Sequence, residues 1–286
     1  MLERIAILGT GLLGTSVGLA LRAAGFKGAI TGWNRSPGQA QLALKMGAID
    51  SIASDAIDAA RTSQITLLAV PIYATIDFME KLAPVLSPDH LVTDVGSTKR
   101  LISETAARLY NTPNRAAFLP GHPMAGKERG GAELADANLF RGAVWLFTPD
   151  SGAQLSPRGS EFEKDWREWV TKIGAKTLDL DPARHDELVA WVSHLPQFTA
   201  TALSALLEEE VGDAPELKDV GGRALREMTR LGASPFSMWR DIAHTNTEAV
   251  ERALLALEQR LAHLRENLRT PGLRDEFEQA NKFRRE

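Results

Sequence analysis

Gly9-Thr10-Gly11-Leu12-Leu13-Gly14 carries three glycines at the spacing Gly-x-Gly-x-x-Gly, directly after the apolar run Ile5 to Leu8. In a strand-to-helix turn the first glycine of such a set makes the bend, the second lets a pyrophosphate reach the backbone, and the third packs helix on strand. The helix N-terminus then faces the phosphates. A purely structural turn can carry the same spelling, and what favours dinucleotide binding is the strand before it and the helix pattern after it. Further along, Asn34-Arg35-Ser36 occupies the end of the second strand, where an NAD site normally has Asp or Glu for the ribose hydroxyls. An amide, a guanidinium and a hydroxyl suit a 2′-phosphate better, since Arg pairs with phosphate and no carboxylate repels it. The expectation is NADP in preference to NAD. The residues expected to hold it are Gly9, Gly11, Leu12, Leu13, Gly14, Asn34, Arg35, Ser36, Val70 and Pro71 at the end of a later strand, and Ser97.

Two further segments could do proton chemistry. Asp94-Val95-Gly96-Ser97-Thr98-Lys99 lies where a strand ends, and in open α/β sheets ligands collect at such ends. Ser97 and Thr98 could equally cap the helix that follows. In Gly121-His122-Pro123-Met124-Ala125-Gly126, Pro123 biases His122 toward extended backbone and the glycines allow tight turns, so the imidazole is presented from a constrained loop. Histidine, with an unperturbed pKa near 6.5, is matched to taking a proton at neutral pH. Arg223, Arg226 and Arg230 fall on one helical stripe that could concentrate positive potential, although such a stripe is often just a solvated face. There is no cysteine, and the six histidines show no HExxH-like pairing, so no metal site is expected.

The elements that must position these groups follow from pattern. With 286 residues, 44% apolar and 24% charged, the chain is expected to be globular with two domains. A net charge of −4 gives no global basic field for nucleic acid. No apolar run approaches the roughly 20 residues of a spanning helix. The apolar start from Ile5 to Ala24 is broken by four glycines and lacks a basic leader, so no export signal is expected and the expected compartment is the cytoplasm. Strands are expected at 5–8, 29–33, 64–70, 91–94, 116–119, 143–148 and 176–180. Helices are expected at 13–24, 39–46, 75–83, 99–109 and 161–173, with 121–131 and 149–159 irregular. This alternation predicts an α/β, doubly wound parallel sheet of the Rossmann type, with 176–180 in that same sheet, over residues 1–181.

From 182 to 286 the pattern is all-α, with helices at 185–192, 198–211, 222–230, 235–243 and 247–268. Val250, Leu254, Leu257, Leu261, Leu264 and Leu268 recur at steps of four and three, a seam that fits either packing within its own domain or a dimer contact.

Taken together, the glycine-rich start, Asp94 to Lys99, Gly121 to Gly126, Ser193-His194-Leu195-Pro196, and Thr229-Arg230 through Ser234-Pro235 to Met238-Trp239-Arg240-Asp241 resemble the prephenate/arogenate dehydrogenase family of tyrosine biosynthesis. The resemblance runs in order along nearly the whole chain. It implies NAD(P)-dependent oxidative decarboxylation of prephenate or arogenate, with His122 as the catalytic histidine on the ring hydroxyl and Ser97 orienting both. It implies that Arg230 binds a substrate carboxylate, that His194 and Trp239 line the substrate side, that Glu128 helps gate it, and that a homodimer forms through the helical domain.

Two positions depart from the family pattern: Arg223-Ala224 follows Gly221-Gly222 where glycine and an aromatic are frequent, and Gln197 stands on the substrate side where a second histidine is common. Both bear on whether the substrate carries a keto acid or an amino acid. No room is expected for an appended chorismate mutase or regulatory domain. The alternatives are another reductase or hydroxyacid dehydrogenase joining a Rossmann domain to helices, and a non-catalytic NADPH sensor. The first usually places a lysine in the helical half, where only Lys218 and Lys282 occur.

Overall fold

The computed structural model describes residues 2–285, apart from the side chains of Lys218 and Arg285. Its first half alternates strand and helix: β1 (Arg4–Leu8), α1 (Leu12–Ala23), β2 (Ala29–Trp33), α2 (Pro37–Lys45), β3 (Ser51–Ile52), α3 (Ala56–Arg61), β4 (Ile65–Leu68), α4 (Ile72–Leu82), β5 (Leu91–Asp94), α5 (Arg100–Leu109) and β6 (Ala117–Leu119). These six strands form one parallel sheet in the order β3-β2-β1-β4-β5-β6. The chain therefore leaves β1 in one direction and resumes at β4 on its other side, which makes the β1/β4 boundary the switch point where such sheets bind ligands.

Strand alternation divides the core. Ile5, Ile7, Ile65, Leu67, Leu91, Ala117 and Leu119 face one apolar cluster, and Ala6, Leu8, Leu68, Val92 and Phe118 face another. That is the period of two expected of strands buried on both faces. Helices cover both sides, so the doubly wound Rossmann-type sheet is what forms. β3 and α3 are additions to the expected list.

β7 (Gly121–Pro123), β8 (Val144–Phe147), α6 (Pro157–Lys172), β9 (Lys176–Asp179) and α7 (Pro182–Val189) follow. Here three expectations need correction. Residues 176–180 do not extend the first sheet: β7, β8 and β9 form a separate three-stranded sheet, with β7 antiparallel to β8 and β9 parallel to it. Trp145 and Phe147 of β8 nevertheless pack in the same cluster as β1, together with Phe162, Trp166 and Val170 of α6. His122 lies on a short strand rather than in an irregular loop, paired with Leu146. And α6 starts at Pro157, since Ser156 accepts a hydrogen bond from the Gly159 N–H at 2.9 Å and proline is well tolerated in a first turn.

After a π turn (Ala190–His194) come α8 (Leu195–Val211), α9 (Leu217–Val220), α10 (Arg223–Thr229), a 3-10 turn (Arg230–Ala233), α11 (Phe236–Thr245), α12 (Thr247–Glu266) and α13 (Gly272–Arg285). The chain gathers into two compact units. One holds the residues up to Leu188 together with Ala233–Thr245, and the other holds Val189–Gly232 together with the residues from Asn246 onward. Thus α7 and α11, although helical, gather with the sheet, and Ile242 and Trp239 of α11 pack in the second cluster of its core. Along the seam, Val250 is buried and Leu257 half-buried, whereas Leu254 and Leu261 of α12, and Leu268 just beyond its end, stand exposed. Among the described residues no helix is long and apolar enough to cross a membrane.

His90, just before β5, is 3% exposed with Nε2 2.9 Å from Thr66 Oγ1, and burial lowers its pKa from 6.5 to about 4. A group depressed in the folded state stabilises fully above its unfolded pKa and loses that contribution as pH falls through the folded one. Stability is therefore expected to fall by about 3 kcal/mol from this group between about pH 6.5 and pH 4. Denaturant unfolding across that window should show a shallower decline for His90→Gln than for the natural sequence.

Candidate active site

The glycine loop follows β1 at the switch point, and each glycine has a distinct steric situation. Gly9 has φ +104°, and a Cβ there would lie 2.2 Å from the Ala69 carbonyl oxygen and 2.8 Å from Val70 Cγ1. A Cβ on Gly14 would lie 2.0 Å from the Gly9 carbonyl oxygen. At Gly11, by contrast, a Cβ would meet nothing within 4 Å. One glycine turns, one is packed tight and the middle one faces open space, which is the division of labour a pyrophosphate cradle requires. Gly11 is the N-cap of α1, with no side-chain cap and no acidic residue in the first turn, so nothing anionic competes for that end of the helix.

Leu12 is buried and Leu13 half-buried on the first turn of α1, and Val70 and Pro71 follow β4 beside Gly9. The structure thus brings these together. Past β2, Arg35 and Ser36 are exposed and Asn34 Oδ1 accepts from the Ser36 N–H at 2.9 Å. These residues fit a dinucleotide.

At the end of β5, the carboxylate of Asp94 is wholly buried and accepts from three donors. The Gly96 N–H reaches Oδ2 at 2.7 Å, the Lys99 ammonium reaches the same oxygen at 2.5 Å, and the Gly121 N–H reaches Oδ1 at 3.0 Å. Gly96 precedes Ser97 and Gly121 precedes His122, so one side chain ties the two chemical segments to each other. Burial pushes the Lys99 ammonium below its ordinary pKa, opposed by the charge and hydrogen bond of Asp94 and by the charge of Asp186. Ser97 is half-buried. Neither Ser97 nor Thr98 caps α5, contrary to one expectation: Thr98 Oγ1 pairs with Thr245 Oγ1 at 2.7 Å, and the cap comes from elsewhere.

The cap comes from α7. Asp186 accepts the Lys99 N–H at 2.7 Å on Oδ1 and the Arg100 N–H at 2.9 Å on Oδ2. Its Oδ1 also lies 2.8 Å from His185 Nδ1, and His185 Nε2 lies 2.9 Å from His122 Nδ1. The result is a buried chain His122–His185–Asp186 that ends on the N-terminus of α5. Burial holds His185 below its ordinary pKa, with Asp186 opposing and the Lys99 charge adding to the fall, so the ring is neutral at pH 7. Asp94, Lys99, His185 and Asp186 had no assigned role from the sequence. The only signal was that the first two stood inside a quoted motif.

Glu128 is half-buried between β7 and the 3-10 turn Ala132–Leu134, and Trp239 is half-buried on α11 against the second core cluster. In the other unit, His194 is buried at the end of the π turn, with Nδ1 3.4 Å from the Asn246 amide nitrogen. The expected break between helices at Ser193–Pro196 is instead this turn, closed by the Leu195 N–H on the Ala190 carbonyl. Pro196 explains it, since proline offers no N–H for the α-helical ladder. Such insertions are frequent at functional sites. Gln197 is buried and its Nε2 donates to the Leu231 carbonyl at 2.7 Å, next to the exposed Arg230. The arginine stripe needs correcting. Arg223 pairs with Glu227 at 2.6 Å, and α10 ends at Thr229, so Arg230 sits in a 3-10 turn and off the helical row.

A buried, oriented imidazole and a nearby serine suit proton transfer at a hydroxyl, and the adjoining cradle suits a dinucleotide. Comparison with known proteins gives the family. The description of the prephenate dehydrogenase nucleotide-binding domain matches residues 17–164, and that of the prephenate dehydrogenase dimerization domain matches 181–283. The prephenate dehydrogenase of Lactococcus lactis subsp. cremoris is 32% identical over 248 residues, covering 86% of this chain, which spans 66% of that protein's length.

Among solved structures, prephenate dehydrogenase from A. aeolicus in complex with hydroxyphenyl propionate and NAD+ superposes with a TM-score of 0.83 at 29% identity, covering 100% of this chain and 96% of that one. Synechocystis arogenate dehydrogenase gives 0.76 at 30% identity, covering 99% of each. With its two halves matched in order and its cradle and histidine in one unit, the chain belongs to the prephenate dehydrogenase family.

Proposed function

We propose that this protein oxidatively decarboxylates prephenate to 4-hydroxyphenylpyruvate, or arogenate to tyrosine. The observation that carries the reading is the Asp94 carboxylate, which holds the Ser97 and His122 segments together at the C-terminal edge of the sheet. A bound nicotinamide cofactor supplies the acceptor for the hydride that leaves the carbinol carbon of the ring. Gly9, Gly11, Leu12, Leu13 and Gly14 would hold its pyrophosphate, with Val70, Pro71 and Ser97 beside them. His122 takes the ring hydroxyl proton as the transition state gains carbonyl character and gives it back to the phenol oxygen once carbon dioxide has left and the ring is aromatic. The gain of aromaticity drives the step, so the protein's task is alignment and a well-placed proton acceptor. Ser97 orients the same hydroxyl, Arg230 pairs with a substrate carboxylate, His194, Gln197 and Trp239 line the substrate side, and Glu128 gates it.

Asn34, Arg35 and Ser36 favour NADP over NAD, because none of them is a carboxylate that would repel a 2′-phosphate and Arg35 is exposed to meet one. The working form is a homodimer through the helical half, whose exposed leucines on α12 support it, and its compartment is the cytoplasm.

Purified protein should release carbon dioxide and reduced cofactor from prephenate or arogenate, and His122→Asn should lower kcat by roughly 10²- to 10⁴-fold. No turnover of either substrate with either cofactor would end the reading. Arg230→Ala should raise the substrate KM while leaving the cofactor KM in place, and equal small changes in both would return Arg230 to the solvated surface. At equal low concentrations NADP+ should be reduced faster than NAD+.

A further inference from the structure

We infer that His185 and Asp186 are positioning residues that fix which nitrogen of His122 carries its proton. The inference rests on the role proposed for His122. Asp186 receives N–H groups of the α5 N-terminus on both carboxylate oxygens, which sets its orientation and engages both oxygens as acceptors. A carboxylate in that state only accepts, so the group it meets at 2.8 Å, His185 Nδ1, must be the donor.

A neutral imidazole has one N–H. With that hydrogen on Nδ1, His185 Nε2 carries a lone pair and accepts across the 2.9 Å contact from His122. His122 then holds its hydrogen on Nδ1. Its Nε2 is left as the basic nitrogen that takes a proton from a substrate hydroxyl. The opposite arrangement, His185 protonated on Nε2, would leave Asp186 facing a lone pair and give His122 a hydrogen on the nitrogen that must accept. Burial supports the assignment by keeping His185 neutral, so that it relays orientation without a charge of its own.

The same logic operates where a buried carboxylate fixes the tautomer of a catalytic histidine in hydrolases, with one extra imidazole inserted here between the two. That second ring lengthens the reach from the helix N-terminus to the reacting histidine. It also predicts which substitutions are tolerated. Any group at 185 that accepts from His122 and donates toward Asp186 should serve, and an apolar one should not.

The test is ¹⁵N–¹H correlation of labelled full-length protein near pH 7.5, read beside steady-state kinetics. In the natural sequence the His122 ring should show its hydrogen on Nδ1. Asp186→Asn, whose amide can donate to His185, should move it to Nε2 and lower kcat by roughly 10²- to 10⁴-fold, with the cofactor KM within about twofold. His185→Leu should lose a similar factor. His185→Gln, which keeps an acceptor for His122 and a donor for Asp186, should stay within about tenfold of the natural kcat. A natural protein whose His122 carries its hydrogen on Nε2 overturns the inference whatever the variants do, as does equal loss in the leucine and glutamine variants when both melt like the natural protein. If His122→Asn abolishes turnover while the ring is found with Nε2–H, this inference fails and the proposed function stands. If the ring is as expected but neither substrate turns over, the reverse holds.

Discussion

A carboxylate without water must be met by donors, and Asp94 is met by three. Two of them are backbone N–H groups, one just past β5 and one at the start of β7, and the third is an ammonium that is itself wholly buried. Removing one partner of such a pair typically destabilises by about 3–5 kcal/mol, because the other charge is left uncompensated. The energetic consequence is also a geometric one. The segments bearing Ser97 and His122 are not free loops above the sheet but are hydrogen-bonded to the last residue of one of its central strands, so their separation is set by the sheet's own register. A second carboxylate, Asp186, holds the next turn of the same segment from the other side. Between them the two acids fix both ends of the stretch from Gly96 to Arg100.

Much of this was legible in the sequence, for identifiable reasons. Ile5 to Leu8 could only be a buried strand, being apolar throughout and too short for a helix, and Gly9 marked its end. The same holds for Leu91 to Asp94. β3 escaped notice because two residues, Ser51 and Ile52, carry no period, and α3 because six residues rich in alanine do not make a distinct apolar face. The strands β8 and β9 were read as strands, but a local pattern does not say which neighbour a strand pairs with. That was decided by Trp145 and Phe147 packing with α6.

The candidate site divides in the same way. The glycine loop, Ser97 and His122 announce themselves through spacing and composition. The link from His122 to the N-terminus of α5 does not, since it joins His185 and Asp186 to residues 63 and 87 positions away. Nothing in a His-Asp dipeptide at the start of a helix says that the acid will cap a different helix. Likewise Pro196 was visible as a helix breaker, but that the chain would absorb it with a π turn carrying His194, rather than by stopping, is a tertiary outcome. Gln197, whose amide is committed to the Leu231 carbonyl, is held beside the turn that bears Arg230 by a contact no periodicity encodes.

The glycine loop has a thermodynamic corollary. Its shape is dictated by its own neighbours: the Gly9 N–H donates to the Trp33 carbonyl at 2.8 Å, and the missing side chains of Gly9 and Gly14 bring backbone against backbone at Ala69 and Gly9. The ordering entropy of that segment is therefore met during folding and is not charged again when a phosphate arrives. Affinity at this edge is governed by desolvation and the lost tumbling of the guest, while the host contributes a rigid mould.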